Sequence, residues 1–133
     1  MTARTVGYWI TTSLVSLAML SSGWMYVTGG MDAALIDHLG FPSAFVLLLG
    51  SWKLLVAPAL LAPGLRRLKE LCYAGLFFTF TGAAWMHVSV GDGVGEIAAP
   101  LVMLALAATS FALLGPARFD EQGSSSTAAS AAA

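Results

Sequence analysis

Charge is what this sequence has least of: 10% of its 133 residues are Asp, Glu, Lys or Arg, against roughly 25% in soluble domains. Six basic residues are too few to track a phosphate backbone, so nucleic acid is excluded as a partner. Cysteine occurs once, at Cys72, which rules out an intrachain disulfide. That lone thiol reads as a small packing residue. No GxGxxG, Walker loop, CxxC or HExxH is found, so no cofactor fingerprint is detectable. His38, His87 and the nearby carboxylates match no ligand spacing, and no metal site is expected.

What fills the chain instead is apolar: 58% of it is hydrophobic. These residues fall in long blocks rather than amphipathic stripes, which selects an integral membrane protein over a soluble core. The blocks run over about residues 8–27, 41–61, 71–90 and 97–114, each near the ~20 residues that span a ~30 Å hydrocarbon layer. Gly29-Gly30, Pro63-Gly64 and Gly115-Pro116 punctuate them. Pro42 and Pro100 fall in the first turns of the second and fourth segments, where a missing N–H is harmless. Pro58 sits where it would kink the second.

Short loops make consecutive helices antiparallel neighbours, so the expected fold is an all-α membrane protein, a four-helix up-down-up-down bundle over residues 1–116. The first block reads as a span rather than a cleaved signal peptide, because it exceeds a ~7–15-residue signal core and has no A-x-A site. The Gly, Ser, Ala and Thr of residues 117–133 cannot bury enough surface to fold, and a disordered tail is expected there.

The basic residues orient the bundle. Arg4, Arg66, Arg67, Lys69 and Arg118 fall on one side, whereas the first and third loops carry Asp32, Asp37, Asp92 and Glu96. The positive-inside rule then puts both termini and the second loop on the cytoplasmic side. Arg66 or Arg67 is the expected partner of Glu70.

One basic residue stands apart. Lys53 lies about 18 Å along the second segment at ~1.5 Å per residue. A charge at that depth costs about 2.5–3.5 kcal/mol on insertion scales and marks a functional site by default. Ser16, Thr79, Thr81, Thr109 and Ser110 fall within a turn or so of the same level, suggesting one polar layer. Trp85-Met86-His87 supplies a second polar position near the outer end. The candidate catalytic residues are therefore Lys53, His87 and Asp92. The candidate ligand-binding residues are Ser16, Tyr26, Lys53, Tyr73, Thr79, Trp85 and His87.

These residues also carry a likeness. Ser22-Gly23-Trp24-Met25-Tyr26, Leu39-Gly40-Phe41-Pro42, Gly50-Ser51-Trp52-Lys53-Leu54-Leu55, Leu68-Lys69-Glu70-Leu71-Cys72-Tyr73-Ala74-Gly75 and Gly82-Ala83-Ala84-Trp85-Met86-His87, then Gly91-Asp92, resemble the DoxX-like family of small bacterial membrane proteins. The likeness covers roughly residues 8 to 115. Members often carry an acidic residue in the middle of the third helix, where this chain has Phe78-Thr79-Phe80; the expected carboxylate partner of Lys53 is then missing.

The resemblance implies kinship with membrane subunits of quinone-linked sulfur oxidation and redox-stress complexes. It also implies likeness to sterol isomerases and sterol-binding proteins with pockets inside a helix bundle. Three functions follow as expectations. The first is a bundle binding a lipophilic small molecule, a quinone or similar, as membrane partner of a redox enzyme. The second is a stand-alone enzyme that isomerises, cyclises or opens an epoxide on a lipophilic substrate. The third is a structural subunit, for which Ala98, Ala99, Ala105, Ala107 and Ala108 suit close contact within or between protomers, including a homo-oligomer.

Overall fold

The computed structural model is all-helical among the described residues, which are 2–31, 33–115 and 130–132. Asp32, Arg118 and most of the 117–133 tail lie outside them. Four helices are long and apolar enough to cross a membrane: α1 (Ala3–Val27), α2 (Ser43–Leu61), α3 (Arg66–Ser89) and α4 (Val94–Leu114). A short π-helical turn, Ala33–His38, lies between α1 and α2.

Each helix end has a local cause. The Thr2 hydroxyl accepts the Thr5 N–H at 3.2 Å and so caps α1. Pro42 precedes α2, where its fixed φ costs nothing. The last carbonyls of α4 are met from α1: Arg4 Nε donates to Leu113 O at 3.2 Å. A cation there also suits the negative end of the helix dipole.

Three helix starts differ from the sequence expectation. α1 begins at Ala3 rather than near residue 8. α3 begins at Arg66, so Arg66 to Glu70 form its first turns rather than a loop. Arg66 Nε donates to Glu70 Oε1 at 2.8 Å, an i,i+4 pair that supports helix there. Lys69 is buried instead of solvated, and its Nζ donates to Tyr8 OH at 3.0 Å. α4 begins at Val94, which moves Pro100 out of the first turn and into the helix. Pro58 likewise lies inside α2, which the structure records as one helix.

α1 runs opposite in sense to α2 and to α4. Tyr26 and Val27 pack on Gly50, while Gly23 packs on Lys53 and Leu54. Thr12 meets Ser110, and Arg4 meets the end of α4. α1 thus packs on α2 and α4, and α3 packs on α4, but α2 and α3 touch only briefly. That seam is the weak side of the bundle.

The main core fills the half that holds the start of α1: Val15, Met19, Ala57, Leu60, Cys72, Leu76 and Phe80. A smaller cluster of Leu35, Leu39 and Val46 seals the other end beneath the π-helical turn. The outer surface is apolar, with Leu55 68% and Leu71 69% exposed. Such a surface suits hydrocarbon rather than water.

Candidate functional site

The close approach of α1 and α2 sets the site. A Cβ on Gly23 would lie 3.0 Å from both Gly50 O and Lys53 Cβ, so the two backbones nearly touch. That contact lays Lys53 along α1. Its Nζ lies 3.8 Å from the Tyr26 ring centroid, a cation–π contact. It also donates to Ser22 Oγ at a long 3.4 Å. Ser22 donates its own proton to Ala18 O at 2.7 Å, which leaves its lone pairs toward the ammonium. No carboxylate pairs with Lys53 among the described residues.

Lys53 faces a chamber of about 550 Å³ bounded by all four helices and the π-helical turn. Ser22 and Tyr26 of α1, Leu49 and Lys53 of α2, Thr79 and His87 of α3, and Pro100 of α4 are among its lining residues. A second chamber, about 560 Å³, lies in the seam between α2 and α3. Its lining is apolar apart from Lys53 and Thr79, and Thr79 turns its proton onto Gly75 O at 2.8 Å. Met19, Leu49, Lys53, Phe78 and Thr79 line both chambers, so Lys53 stands between them. Each volume suits a small organic ligand.

At the other end of the first chamber, α3 closes with a Schellman turn. Asp92 N–H donates to His87 O, Gly91 N–H donates to Val88 O, and Gly91 takes the left-handed φ of 79° that the turn requires. The turn folds the Asp92 side chain back over its own helix. Its Oδ2 lies 2.6 Å from His87 Nδ1, and its Oδ1 lies 2.6 Å from His38 Nε2. These hydrogen bonds, His87's first and then His38's, hold the Asp92 carboxyl below the usual carboxylate range. An ionised carboxylate only accepts, so both rings donate to it. A neutral His87 then keeps its lone pair on Nε2, the arrangement of a base oriented by an acid.

Asp92 also ties the π-helical turn to α3, so it carries stability with a defined acid limit. Its folded pKa is depressed. The contribution is therefore present above the ordinary value near ~4 and lost as pH falls through the lower folded value. Thermal melting of the protein in nanodiscs is expected to fall below about pH 4 on this account. Asp92→Asn should melt lower at neutral pH and show a flatter acid limb; an unchanged acid limb contradicts this assignment.

The sequence candidates separate into two places. Tyr26, Lys53, Thr79, Trp85 and His87 line the first chamber, with Trp85 at its rim, 70% exposed, and Asp92 behind His87. Ser16 and Tyr73 do not line it. Tyr73 and Ser110 hydroxyls are hydrogen-bonded at 2.6 Å, and Ser110 and Thr12 at 2.6 Å, in a buried cluster of α1, α3 and α4. Ser16 Oγ is buried with no partner among the described residues.

The single polar layer is not formed. Thr81 and Thr109 bond carbonyls of their own helices, at Phe77 and Ala105. Ser22 and His38 were not selected from the sequence as site residues. The signal for Ser22 was its neighbour Gly23, and for His38 the Gly91-Asp92 turn that brings a carboxylate within reach.

Four membrane-length helices around a chamber with one lysine and one oriented histidine define a small multi-pass membrane protein with a small-molecule-sized cleft between its helices. The chain belongs to the DoxX-like family, whose model matches residues 10–110. That stretch takes in nearly all of α1 to α4. No curated protein and no solved structure matches it.

Proposed function

We propose that the chamber binds a lipophilic small molecule with an oxygen acceptor, a quinone or similar, and that the protein serves as membrane partner of an oxidoreductase. One observation carries this reading. Among the described residues Lys53, at mid-helix, has one long hydrogen bond and a ring face as the contacts of its ammonium, and it turns toward a small-molecule-sized space. A ligand oxygen would complete its donors, and a charged donor there is worth more than in water. The chain carries no electron-transfer motif of its own, so electrons would pass on the partner. The helices would cross up-down-up-down with both termini cytoplasmic in a bacterial inner membrane. The gathering of Arg4, Arg66, Arg67 and Lys69 at one end supports this orientation.

The test is titration of a short-chain benzoquinone into the protein in lipid nanodiscs, read by quenching of the fluorescence of Trp52 and Trp85. Saturable quenching at constant lipid is expected. Quenching that only tracks partition into the bilayer overturns the reading.

A second reading, a stand-alone enzyme on a lipophilic substrate, is favoured by His87 alone. With Nδ1 held by Asp92, His87 Nε2 has no partner among the described residues and would take a proton from a carbon of a substrate lying at that end of the chamber. It would then return that proton to a second carbon, which completes an isomerisation without any oxidant. Turnover by the purified protein without a partner, lost in His87→Gln, would place this reading first.

A further inference from the structure

Two features of the chambers bear on what kind of ligand enters them. The end of the first chamber beside the π-helical turn is covered: Leu35 and Leu39 are buried there, and His38 is fastened through Asp92 to His87. The side is not covered. α2 and α3 touch only briefly, and Phe78, which lines both chambers, is 71% exposed at the seam. Entry is therefore from the bilayer. The second chamber occupies this seam, shares Lys53, Met19, Leu49, Phe78 and Thr79 as walls with the first, and offers almost only apolar side chains.

The geometry points to a two-part ligand: a lipid with a small carbonyl-bearing head against Lys53 in the first chamber and one linear apolar chain in the second, leaving through the α2–α3 seam. This rests on the proposed binding at Lys53 and extends it to the ligand's tail. The slot exists because α3 presents Ala74 and Gly75 there. A Cβ on Gly75 would meet nothing within 4 Å, and the same holds for Gly82, two turns further on, which lines the first chamber. Each glycine keeps one chamber empty, and neither is needed for close packing. An apolar slot of this kind stays dry without an occupant and accepts an apolar one.

The experiment compares two probes with the same benzoquinone head, one bearing only methyl groups and one a ten-carbon chain. Both are titrated at equal mole fraction in the lipid, so that partition into the bilayer does not enter. Wild-type protein is expected to hold the chained probe at least tenfold more tightly. Gly75→Leu, which fills the second chamber, should erase that preference and leave the methyl probe unchanged. Gly82→Leu, which fills the first, should weaken both probes. Thermal melting confirms that both variants fold, as the open space around each site leads one to expect. Equal binding of the two probes to wild type, or Gly75→Leu leaving the chained probe untouched, overturns the head-and-tail ligand while the binding reading stands. Failure of wild type to bind either probe overturns both.

Discussion

Gly50→Leu is expected to abolish stable packing of α1 on α2, and Gly50→Ala to weaken it by about 1–3 kcal/mol, the usual range for overpacking. A Cβ at Gly50 would sit 2.7 Å from Tyr26 Cβ, 2.9 Å from Val27 Cγ2 and 3.1 Å from Gly23 O. Two of these three are backbone or the first side-chain atom, which cannot swing aside. The helices must separate, and in a bilayer that loss is not recovered by a hydrophobic driving force. Association there rests on close van der Waals contact between small residues. Gly23→Ala should be milder than Gly50→Ala, since its nearest contacts lie at 3.0–3.1 Å and include the Leu54 side chain.

The same variants should loosen the site. Lys53 lies one turn beyond Gly50 on the face that meets α1, so moving α2 outward draws the ammonium off Tyr26 and Ser22. Thermal melting in nanodiscs, with quinone binding measured alongside, checks both parts. Wild-type melting of Gly50→Leu would show that the contact does not hold the helices together.

The contact explains what was and was not legible in the sequence. Four spans were readable because the thickness of hydrocarbon fixes how long an apolar run must be. The start of α3 was not, because Arg66, Arg67 and Glu70 read equally well as a loop or as a charged first turn. Only their pairing and the burial of Lys69 decide it. The depth of Lys53 was readable from helical rise. Its partner was not, since rise gives height along one helix but neither rotation nor the offset between two. Gly23 against Gly50 sets that offset, and it brings Ser22 to Lys53 rather than Ser16.

Hydroxyl content misled for a related reason. Thr79, Thr81 and Thr109 were at the right height but could satisfy themselves on the carbonyl four residues back, and they do. The pairing of His87 with Asp92 escapes any periodicity count, because the chain reverses at Gly91 between them.

The half-buried Lys53 and the buried Lys69 should respond to the same substitution in opposite ways. Lys53→Met is expected to lose ligand binding by roughly 10- to 100-fold, the equivalent of the ~1.5–3 kcal/mol a hydrogen bond to a charged group contributes. Methionine keeps the length and flexibility of the stem, so the packing against α1 survives. Removing a charge whose depth alone costs about 2.5–3.5 kcal/mol should leave melting unchanged or raise it.

Lys69→Met should do the reverse. Lys69 is 5% exposed and gives Tyr8 OH its donor at 3.0 Å, away from either chamber, so its loss should lower the melting temperature and spare binding. A residue held for structure loses stability when it is neutralised, and one held for a ligand loses affinity. Lys53→Met that binds the quinone within twofold of wild type, or that melts well below it, would move Lys53 from the second kind to the first.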